Sequence, residues 1–268
     1  MSADKVTILD FKRKKSSGEK ITMLTAYDCP MAGLVDSAGV DAVLVGDSVG
    51  MVVLGYDSTV PVTMDEMIHH SKAVRRGVKR AFLIGDMPFM SYQVSDEDAV
   101  RNACRFLKEA GCDAVKIEGG KEAAPRIKAV SSAGIPVLGH IGLTPQSMSK
   151  LGGYKVQGRD AESASRLLSD ALFLEEVGCF ALVLECVPKT LAEKITAKLG
   201  IPTIGIGAGA RCDGQVLVIN DIIGHFRKFV PKFVKQYAGI DDTILKAIKA
   251  FKEDVESGAF PGDEHSFS

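Results

Sequence analysis

One unit recurs along this 268-residue chain and constrains its fold more than any other feature: a helical-looking segment, a glycine, a short apolar run, then a polar or glycine position. Gly39, Gly111, Gly134, Gly178 and Gly200 take the glycine place, and Asp47, Glu118, His140, Glu185 and Gly207 follow after six to eight residues. Glycine stops a helix because it enters the left-handed conformation without steric penalty. The unit therefore reads as helix, tight turn, buried strand and strand-end residue. Thr63-Met64-Asp65-Glu66 has the form of a capping box and Ser95-Asp96-Glu97-Asp98 is a close variant; both open segments with apolar positions at helical spacing. The apolar runs are near-continuous in Val, Ile, Leu and Ala, the pattern of parallel strands covered on both faces. Eight are readable: Ile21 to Thr25, Ala42 to Gly46, Ala81 to Gly85, Ala114 to Glu118, Val137 to His140, Ala181 to Glu185, Thr203 to Ile206 and Val216 to Asn220. This alternation predicts an α/β fold, a (β/α)8 TIM barrel of typical size about 250 residues. The whole chain, 1–268, reads as a single domain with an N-terminal helical extension. A doubly wound open sheet shares the alternation but would place its ligand at one switch point.

Acidic residues stand where a barrel keeps its chemistry. Asp47, Asp86, Glu118 and Glu185 close or follow strands two, three, four and six, and barrel active sites lie at the C-terminal strand ends. If Val115 and Ile117 face the helices, the two-residue period puts Lys116 and Glu118 together in the interior. Asp47, Asp86 and Glu118 ionised together carry a charge that one divalent cation and Lys116 would neutralise. All-oxygen ligands favour Mg2+ or Mn2+ over zinc. Glu185 comes from a different strand and is followed by Cys186-Val187-Pro188. Desolvation there would raise its pKa and make it a usable base near neutral pH, and a metal opposite a base is a proton-abstraction site. Any one of these acids alone reads equally well as a helix cap or a lysine partner; four at matching strand ends do not.

Composition bounds the setting. With 46% apolar residues, a net charge of -1 and no apolar run near the ~18 residues a spanning helix needs, the chain reads as a soluble globular protein with neither nucleic acid nor membrane as partner. Met1 to Lys20 is polar and lacks the hydrophobic core of a signal peptide, so a cytoplasmic location is expected. The six cysteines show no metal-ligand spacing and read as buried, reduced thiols. Lys12 to Lys15 reads as a solvated helix end, and His69 and His70 as surface or packing residues of a helix. Gly205, Gly207 and Gly209, after strand seven, read as close backbone packing rather than a phosphate site. The last helix, Asp241 to Glu256, carries Ile244, Leu245, Ile248, Phe251 and Val255 on one stripe, suited to a barrel's outer ring or a subunit contact.

Longer motifs carry a family likeness. The stretch Val45-Gly46-Asp47-Ser48-Val49-Gly50-Met51-Val52-Val53-Leu54-Gly55-Tyr56-Asp57-Ser58-Thr59 resembles the signature of the ketopantoate hydroxymethyltransferase family. So do Met23-Leu24-Thr25-Ala26-Tyr27-Asp28, Val115-Lys116-Ile117-Glu118-Gly119-Gly120, Gly139-His140-Ile141-Gly142-Leu143-Thr144-Pro145-Gln146, Leu151-Gly152-Gly153-Tyr154-Lys155-Val156-Gln157-Gly158 and Ile204-Gly205-Ile206-Gly207-Ala208-Gly209 with Cys212-Asp213-Gly214-Gln215. The likeness runs from about residue 6 to the tail Phe260 to Phe267, and departs from the pattern at Gly85 and at Ala210-Arg211. It implies a (β/α)8 barrel that transfers the one-carbon unit of 5,10-methylenetetrahydrofolate to 3-methyl-2-oxobutanoate. The product is 2-dehydropantoate, on the way to pantothenate, and the reaction passes through a Mg2+-stabilised enolate. Asp47 and Asp86 would be metal ligands, with Glu118 a third, direct or through water. Asp47, Ser48, Asp86 and Lys116 would bind the oxoacid, and Glu185 would be the catalytic proton acceptor. His140 would either contact the new hydroxymethyl group or be satisfied within the rim. Tyr27, Tyr56, Tyr92 and Tyr154 are candidates to stack on the pterin. The resemblance also implies a homo-oligomer, a decamer of paired rings of five.

Two other readings compete. A Mg2+-dependent C–C lyase of the phosphoenolpyruvate mutase/isocitrate lyase group would share the carboxylate rim, but its Lys-Lys-Cys-Gly-His-like motif is missing from the sequence. A catalytically silent barrel predicts loss of the acids or the lysine, yet all are present.

Overall fold

The computed structural model describes residues 4–148, 153, 155–226 and 230–268. They form two compact units, Met1–Val218 and Ile219–Ser268. In the first, eight parallel strands close a barrel in chain order: β1 Ile21–Thr25, β2 Ala42–Val45, β3 Phe82–Asp86, β4 Ala114–Glu118, β5 Val137–Gly142, β6 Cys179–Glu185, β7 Thr203–Ile206 and β8 Gly214–Leu217, with β8 returning to β1. Helix α1 (Ile8–Ser17) precedes the barrel; α2 (Cys29–Ser37), α3 (Val49–Val52), α4 (Met64–Gly77), α5 (Asp96–Lys108), α6 (Ala124–Ser132), α7 (Ala161–Glu176) and α8 (Lys189–Lys198) connect its strands. The fold is the (β/α)8 barrel that the alternation predicts.

The local signals act as their chemistry requires. Thr63 Oγ accepts the Glu66 N–H at 3.2 Å while Glu66 Oε2 accepts the Thr63 N–H at 2.7 Å, and Ser95 Oγ accepts the Asp98 N–H at 3.1 Å. Gly39, Gly111, Gly134 and Gly178 are left-handed, with φ between 69° and 104°. Gly200 does not share that conformation. Its N–H donates to Glu175 Oε1 at 2.7 Å, so a side chain fixes the turn before β7.

Two strands begin earlier than their apolar runs suggest. In β6, Val137 pairs with Cys179 but Leu138 pairs with Ala181, leaving Phe180 as the extra residue of a bulge. Strand β8 starts at Gly214, and the residues expected to end it, from Ile219, instead open a short helix, α9 (Ile219–Ile222).

Alternate residues fill the barrel. Met23, Ala42, Leu44, Phe82, Ile84, Ala114, Leu138, Ala181, Val183 and Ile204 belong to one buried cluster. The same alternation carries Asp86, Lys116, Glu118, His140 and Glu185 inward above that layer, and gives Val115 and Ile117 to the helices. At the opposite end Phe11 of α1 is buried edge-on against Phe82 and Phe180, each at 5.4 Å between ring centres. Lys14 and Lys15 are not a solvated end: Lys14 pairs with Asp41 at 2.7 Å and Lys15 with Asp213 at 2.8 Å, tying α1 to residues just ahead of β2 and β8.

The six cysteines are free, with Cys112, Cys179 and Cys212 buried. Among the described residues no helix is long and apolar enough to cross a membrane. The second unit contains α9 and α10 (Ile240–Ser257), and no side chain of α10 is buried.

Candidate active site

Asp86, Glu118 and Glu185 are the last residues of β3, β4 and β6, Asp47 lies two residues beyond β2, and Lys116 and His140 point inward from β4 and β5. These residues form one chain of contacts. The Asp47 N–H donates to Asp86 Oδ2 at 3.0 Å. Lys116 Nζ stands 3.0 Å from Asp86 Oδ1 and 2.9 Å from Glu118 Oε1. His140 Nδ1 lies 3.1 Å from the same Glu118 oxygen, and Nε2 lies 3.2 Å from Glu185 Oε2, close but without hydrogen-bond alignment. Ser48 joins from the side, its hydroxyl 2.7 Å from that of Tyr27.

Burial and charge set these groups apart. Burial opposes ionisation of Glu118, but Lys116 and His140 outweigh it and hold the carboxyl at about 2. Burial likewise opposes the charge on Lys116, and Asp86, Glu118 and Asp47 overcome it, raising the ammonium well above its ordinary range. For His140, burial and Lys116 push downward, yet Glu118 and Glu185 prevail and hold the imidazole at about 9. Asp47 moves the other way: burial first, then Asp86 and Glu118, push it well above the usual carboxylate range.

That last shift marks an acid short of a counter-cation. Four carboxylates face two cations, Lys116 and His140, and buried Asp86 Oδ1 has the Lys116 ammonium at 3.0 Å with no other donor aligned on it. The deficit matches one divalent ion, and the donors are the hard oxygens that Mg2+ takes. Among the described residues no three His, Cys, Asp or Glu side chains are placed to hold a metal by themselves. Lys116 accounts for this by standing between Asp86 and Glu118. Both oxygens of Glu118 are already engaged, Oε1 by Lys116 and His140 and Oε2 by the Gln146 N–H at 3.2 Å. Asp47 and Asp86 are therefore the pair that could hold a cation.

The structure thus brings Asp47, Ser48, Asp86, Lys116, Glu118, His140 and Glu185 to one end of the barrel. It changes some surroundings. Glu185, expected among apolar neighbours, stands against His140. Tyr92, read as a stacking candidate, is buried, its hydroxyl 3.0 Å from the Glu118 carbonyl oxygen and 2.8 Å from Gln146 Oε1. Tyr27 is also buried, Tyr56 donates to Glu66 at 2.6 Å, and Tyr154 lies outside the described residues. Gln146, which the sequence did not single out, sits in a one-turn 3-10 helix (Pro145–Ser147) beyond β5 and bonds to Asp47 and Glu118. Its legible signals were its place just past a strand end and its position closing the Gly139-to-Gln146 motif.

The sequence profile of the family described as "Ketopantoate hydroxymethyltransferase" matches residues 5–263. The chain is 57% identical over 264 residues to a 3-methyl-2-oxobutanoate hydroxymethyltransferase of Syntrophomonas wolfei, spanning 98% of this chain and 96% of the relative. A protein of the same name from Desulfotalea psychrophila is 58% identical over 262 residues, spanning 98% and 94%. Solved structures share the fold at low identity. A phosphonopyruvate hydrolase in complex with oxalate and Mg2+ aligns with a TM-score of 0.61 at 12% identity, over 97% of this chain and 93% of that one. A 2,3-dimethylmalate lyase aligns with 0.58 at 14%, over 97% and 91%. A profile match and identity of this extent, over nearly the full length, place the chain in the ketopantoate hydroxymethyltransferase family of enzymes.

Proposed function

We propose that this enzyme transfers a hydroxymethyl group from 5,10-methylenetetrahydrofolate to 3-methyl-2-oxobutanoate, forming 2-dehydropantoate for pantothenate synthesis. The observation that carries the reading is the placement of Glu185. It stands apart from the Asp47–Asp86 pair, linked to it through His140 and Glu118 and then through Lys116 or Gln146. Asp47 and Asp86 would hold Mg2+, which when bound supplies positive charge that polarises the carbonyl of the oxoacid. Lys116 and Ser48 bind and orient the oxoacid, with the Ser48 hydroxyl set by Tyr27. Lys116 acts as a fixed charge: salt-bridged to two carboxylates, its ammonium is held protonated and is no Schiff-base nucleophile. Glu185 takes the proton from C3 onto a carboxylate oxygen, and C3 bonds to the methylene carbon of the donor; both C–N bonds to that carbon break in the course of the transfer, water supplies its hydroxyl, and tetrahydrofolate leaves. His140, charged and anchored by Glu118, orients Glu185 for this transfer. The apolar layer below, with Leu138 and Val183, keeps water from beneath the reacting carbon. By family resemblance the enzyme works in the cytoplasm as a homodecamer, and the exposed apolar stripe of α10 supports a subunit contact.

Incubation with 3-methyl-2-oxobutanoate in deuterated water tests the reading. Wild type exchanges deuterium into C3 when Mg2+ is present, and Glu185→Gln lowers the rate by about 100-fold or more, the ordinary worth of a general base, while Mg2+ binding persists. Exchange that survives the substitution, or fails in wild type, overturns it.

A further inference from the structure

We infer that Gln146 is a positioning residue that holds the Asp47 carboxylate in the orientation its cation requires; this rests on the reading of Asp47 as a metal ligand. The side-chain amide of Gln146 is fully committed within the protein. Nε2 donates to Asp47 Oδ2 at 3.0 Å and to the Met87 carbonyl at 2.9 Å, and Oε1 stands 2.8 Å from the Tyr92 hydroxyl. With both amide protons spent, Gln146 has none left for a substrate, so it acts through Asp47 rather than on the reacting atoms.

Its orientation is fixed by the Met87 carbonyl. Turned over, the amide would set oxygen against oxygen at Met87, and a backbone carbonyl has no proton to relieve that contact whatever the state of Asp47. Met87 cannot drift, because its own N–H donates to the Lys116 carbonyl at 3.1 Å. The backbone of Gln146 adds a second tie through its N–H to Glu118 Oε2 at 3.2 Å. One buried residue beyond β5 thereby links Asp47 beyond β2, Met87 beyond β3 and Glu118 of β4. Asp47, and through its N–H Asp86, is thus held in one frame with the lysine-bearing strand.

Two variants of the full-length protein test this. Gln146→Met keeps the volume and removes both donors; Tyr92→Phe keeps the ring and frees one side of the amide. Mn2+ is the probe, its free concentration read by electron spin resonance without substrate, beside the melting temperature and the KM for 3-methyl-2-oxobutanoate. Gln146→Met is expected to weaken Mn2+ binding about 10–100-fold, the usual cost of losing a partner behind a metal ligand, and to raise KM. Tyr92→Phe weakens binding in the same direction by a smaller factor, and it decides the matter if Gln146→Met does not fold. Mn2+ affinity within twofold of wild type in the folded variants overturns the role, even if they melt earlier. A wild type that binds no Mn2+ overturns the functional reading and this role together.

Discussion

His140 shows how the place of a single residue can be legible while its partners are not. Its place at a strand end was readable, but its partners were not, because they come from β4 and β6 and meet only when the barrel closes. Those partners raise its pKa to about 9, against an ordinary unfolded value near 6.5. A raised folded pKa adds stability that is complete below the unfolded value and is lost as pH climbs through the folded one. Metal-free protein is thus expected to lose on the order of 3 kcal/mol between pH 6.5 and 9 from this group, and His140→Gln to flatten that decline, as read by urea unfolding at the two pH values. Glu118, held at about 2, works oppositely and loses its contribution as pH falls from the ordinary carboxylate range towards 2. Cys186, just after Glu185, was harder still to read. Its φ of 48° leaves no mark on the sequence, yet hydrogen bonds from Leu143 N–H to the Glu185 carbonyl and from the Cys186 N–H to Ile206, both 2.9 Å, fix that turn.

Strands were legible where their apolar run and their hydrogen-bonded ladder coincide, as in β1, β4 and β7. They were not where geometry intervenes. Cys179 pairs with Val137 and shares its outward side; without the bulge at Phe180, a two-residue period would send Ala181, Val183 and Glu185 outward as well. The extra residue turns the proposed base into the barrel, and no composition signal announces it. Gly85, a departure from the family pattern in the sequence, acquires a reason between elements: a Cβ there would lie 2.2 Å from a ring carbon of Phe106, which α5 lays on the strand. Gly85→Ala is expected to destabilise the protein by about 1–3 kcal/mol through overpacking, and a second change, Phe106→Leu, to recover part of that. Thermal unfolding of the single and double variants checks the coupling.

At the scale of the barrel the two ends divide the work. The C-terminal strand ends carry Asp86, Glu118 and Glu185, while at the other end the starts of β3 and β6 receive Phe11, and Lys14 and Lys15 clamp the residues ahead of β2 and β8. The alternation of helix and strand made the architecture readable, but α1 gave no hint that it closes the far end, since Phe11 is its lone fully buried side chain. Phe11→Ala is expected to cost about 3–5 kcal/mol and to leave kcat per folded molecule unchanged, measured by chemical denaturation beside steady-state assay. With that floor stoppered, the vessel has one working mouth, and traffic through it queues. On the proposed reaction, oxoacid and donor would both have to pass that mouth, so the one seated deeper would have to enter first and leave last.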